Sequence, residues 1–175
     1  MSIAAPFNLN AWIEEHRDQL RPPVGNIQVY KDNKDFIVMI VGGPNARKDY
    51  HYNEGEELFY QIKGDIVVKI IDDGEPKDIH IKEGEMWLLP PKTPHSPQRG
   101  PNTIGLVVER YRYTSEDDGF LWFCEKCNSK LYEEYLPLKD IVQQLPVVMG
   151  NYYENKAHCT CRNCGHVMEK PVLKS

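Results

Sequence analysis

Near the start of the chain the apolar Leu9, Trp12, Ile13 and Leu20, together with His16, recur at the spacing of one helix face, with Asn8 or Asn10 where an N-cap belongs. The spacing predicts a short helix ending at the prolines of RPPVG, because proline lacks a donor N–H and disfavours helical backbone before it. Beyond it the pattern changes to apolar or alternating runs punctuated by turn residues. These predict strands over 26–31, 35–41, 57–63, 65–71, 77–81, 85–89 and 103–110, with tight turns at KGD, DDGE and KEGE. The unbroken run FIVMIVGG predicts a strand covered on both faces. Short strands at such regular spacing imply a mainly β fold, an antiparallel sandwich or barrel.

After Ser115 the pattern shifts again. SEDDG reads as a linker and LKDIVQQL as a short helix, and pairs of cysteines lie on either side of that helix. The expected organisation is a barrel with its N-terminal helix over 1–114 and a small appendage over 115–175.

Composition narrows the function classes. The 175 residues suffice for one compact domain plus an appendage, and 41% hydrophobic with 27% charged residues is ordinary for a globular protein. A formal charge of -5 argues against nucleic acid as a partner, since phosphate binding draws on clustered Lys and Arg. The N-terminal stretch shows neither signal-peptide regions nor a membrane span, so a cytoplasmic protein without membrane contact is expected. All five cysteines follow residue 123, and in a protein of that kind paired cysteines spaced C-x2-C point to metal rather than disulfides.

The stretch DYHYNEGEELFYQIKG concentrates candidate ligands before a predicted strand: His51 and Glu57 lie at the mouth of one hairpin, and His95 in PPKTPHSPQR follows another strand. Two imidazoles and a carboxylate form the facial triad of non-haem Fe(II) sites that bind substrate and dioxygen in adjacent open positions. Taken singly, the same residues also suit ordinary loop histidines and a solvated acidic turn.

Context separates these readings. The two segments resemble the paired signatures of the cupin superfamily: Gly43, Asp49, His51, Glu57 and Gly64 in the first, and Gly84, Pro90 and His95 in the second. Asp49 stands where many cupins place a histidine, Lys92 replaces a usual glycine and Arg99 a usual asparagine. With IVGGPNARKDYH, EELFYQIKG, LLPPKTPHSPQR, VVER, LWFCEKC and CRNCGH in that order, the sequence resembles the 3-hydroxyanthranilate 3,4-dioxygenases that carry a C-terminal rubredoxin-like extension. The resemblance implies a single cupin barrel with His51, Glu57 and His95 on Fe(II), and with Arg47, Arg99 and Glu109 as catalytic and substrate-binding residues. It also implies ring opening of 3-hydroxyanthranilate by O2 to 2-amino-3-carboxymuconate semialdehyde, which closes to quinolinate on the kynurenine route from tryptophan to NAD. A homodimer is carried as an expectation.

The chemistry suits these residues. An aromatic acid with ortho amino and hydroxyl groups can chelate iron, and arginine offers its carboxylate a planar fork. Arg99, four residues after His95, is expected near the metal, and Arg47, four before His51, within reach of carboxylate or dioxygen. Glu109 would accept from the amino group and carry a proton, although VVER alone also suits an exposed strand residue.

In the appendage, Cys124, Cys127, Cys161 and Cys164 form two knuckles able to supply four thiolates to iron or zinc. Asn128 and Gly165 follow the knuckles and tolerate positive φ. Cys159 reads as a free thiol or rival ligand, and His158 and His166 as alternative donors. A stapling role is favoured over electron transfer, because extradiol ring opening returns iron to Fe(II) unaided. Two alternatives stay open: an Fe(II) cupin dioxygenase for another aromatic acid, and a non-enzymatic metal-containing cupin module.

Overall fold

The computed structural model describes residues 3, 5–21, 25–32, 34–139 and 141–172. Helix α1 (Leu9–Glu15) starts where Asn8 accepts from the Ala11 N–H, and a 3-10 turn (Arg17–Leu20) continues it. Of its predicted stop, Pro22, Pro23 and Val24 lie outside the described residues.

The strands are β1 (Asn26–Gln28), β2 (Phe36–Gly42), β3 (Asp49–Tyr52), β4 (Glu57–Lys63), β5 (Ile66–Asp72), β6 (Glu75–Ile81), β7 (Met86–Leu89), β8 (His95–Arg99), β9 (Ile104–Arg110), β10 (Asp118–Phe123) and β11 (Lys130–Leu136). They form two antiparallel sheets, β1-β2-β9-β4-β7 and β11-β10-β3-β8-β5-β6. The inner orders β2-β9-β4-β7 and β3-β8-β5-β6 are those of a jelly-roll barrel, the cupin architecture expected from the sequence. β3 and β8 fall in segments expected to be loops, and β10 and β11 in segments expected to be linker or appendage.

The alternating strands build the barrel interior. Phe59, Ile66, Val68, Ile70, Ile81, Leu89 and Val107 are buried together, with Met39 and Val41 packed on them. The opposite face of β2 presents Ile40 to Ile13 and Leu20 beneath α1. This part of β2 is therefore covered on both faces as expected, whereas Phe36 at its start is 50% exposed.

The barrel sheet continues past residue 115. β10 pairs with β3 on one side and β11 on the other, aligning Phe120 with His51 and Trp122 with Asp49. Helix α2 (Ile141–Tyr153) and the short α3 (Lys156–Cys159) lie beyond, and Phe120, Trp122, Val148, Tyr152, Cys159 and Met168 form a second core. The helix expected over 138–145 runs on through Pro146 to Tyr153. Burial of Val148 and Tyr152 favours the helix on the far side of the proline, offsetting its missing N–H. Among the described residues no helix is long and apolar enough to cross a membrane.

Candidate active site and four-cysteine centre

Side chains alternate along each strand, so every second residue of β4, β8 and β9 points into the barrel. Register places these inward positions in layers. Glu57 lies opposite Glu109, Phe59 opposite Val107, and Gln61 opposite Gly105, while His95, Pro97 and Arg99 succeed one another on β8. A carboxylate and imidazole layer is thus separated by an apolar layer from one that holds Arg99 and Gln61.

In the first layer, His51 and His95 pair across β3 and β8. One ring nitrogen of each faces Glu57, His51 Nδ1 at 3.4 Å from Oε1 and His95 Nε2 at 3.3 Å from Oε2. The three buried residues each offer one ligand atom, all within 4.8 Å of one another. Two imidazoles and a carboxylate converging from three strands fit a divalent metal, and their β-strand backbones hold the donors rigidly. Asp49 lies outside this group: it is fully buried and ion-paired with Arg47.

Burial shapes the charges. It would push His51 down, yet hydrogen bonding to Asp118 and Glu57 holds the imidazole up at about 9. Glu57, despite burial, is kept well below the usual carboxylate range by His95 and His51. Burial and the nearby Glu57 push Glu109 up. Asn53 bridges the two carboxylates, donating to Glu57 Oε1 at 2.6 Å and Glu109 Oε2 at 3.2 Å. Glu109 is therefore a buried site residue rather than an exposed strand residue.

Arg99 is 5% exposed, and among the described residues no carboxylate lies within ion-pair distance of it. Its Nη1 donates to Gln61 Oε1 at 3.3 Å. Burial and the neighbouring Arg47 lower it to about 10. Gly105 makes room for the guanidinium, since a Cβ there would stand 2.8 Å from Arg99 Nη1. Four residues of extended strand span about 13 Å, so the spacing from His95 does not itself bring Arg99 to the metal layer. What His95 and Arg99 share is one strand face, hence one interior.

Sequence reasoning missed Arg112 and Asp118. Arg112 Nη1 lies 2.9 Å from Glu109 Oε2 and its Nη2 2.6 Å from Asp118 Oδ2, which also takes His51 Nε2 at 2.6 Å. The available signal was an arginine and an aspartate of opposite charge flanking the TSED turn, one of them starting an apolar run.

Across the second core, Cys124, Cys127, Cys161 and Cys164 offer sulfurs all within 4.8 Å of one another. Cys124 and Cys164 Sγ are 3.6 Å apart, Cys127 and Cys161 Sγ 3.5 Å. Four thiolates about 2.3 Å from a central ion would stand roughly 3.8 Å apart, so the set fits one tetrahedral metal. The knuckles match: Asn128 N–H donates to Cys124 O and Gly165 N–H to Cys161 O, both at 2.9 Å, with φ of 57° and 73°. Contact with Ser129 lowers the Cys127 thiol to about 5. Cys159 is buried outside this set, its Sγ donating to Tyr152 O at 3.2 Å. His158 stacks on Tyr132, and His166 Nε2 faces Glu125 at 3.8 Å; neither joins the sulfurs.

A family profile described as 3-hydroxyanthranilic acid dioxygenase matches residues 1–153. The chain belongs to that family. A relative named 3-hydroxyanthranilate 3,4-dioxygenase, from Xanthomonas campestris pv. campestris, is 53% identical over 97% of this chain and 95% of its own length. Relatives of the same name from Shewanella woodyi and Bacillus thuringiensis are 45% and 42% identical, each over 95% of this chain and over 88% and 93% of theirs. Among solved structures, a cupin-2 domain containing protein from Shewanella frigidimarina matches 61% of this chain and 94% of that one, with TM-score 0.45 and 17% identity. The 3-hydroxyanthranilic acid dioxygenase profile ends before Cys161 and Cys164, whereas the 169-residue alignment with the Xanthomonas relative takes in nearly the whole length.

Proposed function

We infer that this protein is an Fe(II)-dependent, extradiol 3-hydroxyanthranilate 3,4-dioxygenase, converting its substrate and O2 to 2-amino-3-carboxymuconate semialdehyde. The observation that carries the reading is a buried His51/Glu57/His95 group sharing a barrel interior with Arg99, a buried cation that lacks a carboxylate partner among the described residues. Family membership supports the same reaction.

His51, Glu57 and His95 would hold the iron, which when bound supplies adjacent coordination positions for an ortho-aminophenol and dioxygen. Phe59 and Val107, between the two polar layers, give the aromatic ring an apolar wall and exclude water. Arg99 provides the fork for the ring carboxylate, with Gln61 fixing one guanidinium nitrogen. Arg47, held by Asp49, 22% exposed and a neighbour of Arg99, can meet carboxylate or dioxygen. Glu109 takes the proton of the amino group; burial beside Glu57 raises its proton affinity, which suits that role.

The four-cysteine centre is read as iron or zinc stapling the extension over 115–175 to the barrel over 1–114, with β10 shared between them. A cytoplasmic setting accords with five free cysteines. The expected homodimer would find apolar surface at Phe36, Met86 and Leu88 on the outer face of the first sheet.

Oxygen uptake with 3-hydroxyanthranilate after anaerobic Fe(II) loading tests the reading. We expect stoichiometric O2 consumption and semialdehyde formation by wild type, and none by His95→Ala with its fold intact by circular dichroism. Wild-type inactivity with a fully loaded site, or full activity in His95→Ala, would discard it.

A further inference from the structure

Hydrogen bonds and ion-pair contacts around the site close into a ring. From Glu57 the path runs through Asn53 to Glu109, from Glu109 to Arg112, on to Asp118, then to His51 and back to Glu57. Its members come from β3, β4, β9, β10 and the segments after β3 and β9. Three of them, Asn53, Arg112 and Asp118, touch neither metal nor substrate in the reading above, and the last two are charged.

We propose that Asp118 and Arg112 are positioning residues: Asp118 fixes the ring of His51, and Arg112 locks Asp118 and Glu109 into one frame. This rests on the reading of His51 as a metal ligand. Asp118 is fully buried, and its Oδ2 takes His51 Nε2 at 2.6 Å while the other ring nitrogen faces Glu57. A ligating imidazole needs such a partner to fix its tautomer and ring plane and to raise its donor strength. Phe120, two residues along β10 and on the same face, stacks on the His51 ring at 5.5 Å and 28°. The ring is thus held edge-on by a carboxylate and face-on by a phenyl group, both supplied by one strand.

Arg112 explains how Asp118 is itself held. Its side chain is 13% exposed, with Nε 2.8 Å from Asp118 Oδ1, Nη2 2.6 Å from Oδ2 and Nη1 2.9 Å from Glu109 Oε2. The fork fixes Asp118 through both carboxylate oxygens, and the remaining nitrogen fixes Glu109. Lysine, a single point donor, cannot satisfy all three contacts at once. A solvated surface ion pair would show neither this burial nor this number of bonds. The segment beyond residue 115 thus completes the catalytic centre rather than only trailing from it.

The test is Co(II) binding to the full-length metal-free protein, where the thiolate charge-transfer band of the four-cysteine centre reports separately from the His/Glu/His site. We expect Asp118→Asn and Asp118→Ala to weaken Co(II) at the His/Glu/His site by about 10- to 100-fold, with the thiolate band unchanged. Arg112→Gln should act in the same direction, and Arg112→Lys should recover only part of the loss. Unchanged affinity in both Asp118 variants would overturn the proposal while leaving the ligand assignment standing. Loss of the thiolate band in Asp118→Asn would also overturn it, by assigning Asp118 to folding. Absence of any Co(II) site beyond the thiolates in wild type would instead remove the ligand assignment beneath it.

Discussion

His51 and His95 face each other where β3 meets β8, their ring centroids 5.2 Å apart and tilted by 67°, with Glu57 reaching a nitrogen of each. Glu57 supplies the negative charge between the two rings, and a metal ion bound there would take the place of a proton.

Proton release on metal binding follows. In the metal-free protein His51 is held at about 9, above its ordinary 6.5, by Asp118 and Glu57 against the opposing effect of burial. A raised folded-state pKa means that protonated His51 contributes stability fully below pH 6.5 and loses that contribution as pH rises through about 9. Metal must displace that proton, so affinity should climb about tenfold per pH unit up to pH 9. Calorimetry at pH 7.5 in two buffers of different ionisation enthalpy should count about one proton released per catalytic ion. Binding with no proton release would contradict the protonated His51.

The two metal centres should separate by mutation. β10 is anchored at residues 119–122 by both β3 and β11, before its cysteine end. Cys161→Ser or Cys164→Ser should therefore remove one metal equivalent per protein molecule and lower Tm by several degrees, while turnover per remaining catalytic iron survives. Cys159→Ser should leave both metals in place, because that thiol bonds to Tyr152 O away from the sulfur cluster. Metal analysis of the three variants decides it, and loss of the extension's metal from Cys159→Ser alone would reverse the ligand set.

What the sequence shows and hides follows from the same geometry. β4, β5 and β9 are legible because they alternate, placing Phe59, Val68 and Val107 in the core. β3 and β8 are not, because their inward positions carry Asp49, His51, His95 and Arg99: residues that read as loop chemistry occupy core positions at a functional site. Pro97 within β8 deepens the disguise. β10 fails for another reason, since DGFLWF is buried almost throughout and gives no alternation, and the acidic SED before it suggests a linker. The candidate ligands were legible from motif spacing. Arg112 and Asp118 were not, because their roles depend on a strand pairing between β3 and β10 that no local pattern signals.

The substrate class is tested at Arg99. Its guanidinium is buried, is lowered to about 10 by burial and Arg47, and has Gln61 Oε1 as its hydrogen-bond acceptor. A carboxylate arriving there would gain a charge-assisted fork, and Arg99→Ala would leave that carboxylate buried without its two parallel hydrogen bonds, at a cost of about 2 to 5 kcal/mol. At about 1.36 kcal/mol per decade, kcat/KM for 3-hydroxyanthranilate should fall by roughly 30-fold to several thousand-fold. Catalytic iron content should hold, because Arg99 lies in a different layer from the ligands. Arg99→Lys should recover little, since an ammonium restores the charge but not the two parallel hydrogen bonds. 2-Aminophenol keeps the chelating pair and lacks the carboxylate, so whatever turnover wild type gives it should be almost untouched by Arg99→Ala. Steady-state kinetics of both compounds at matched iron occupancy measures the difference. Equal fractional losses on the two substrates would show that Arg99 shapes the barrel rather than reading the carboxylate.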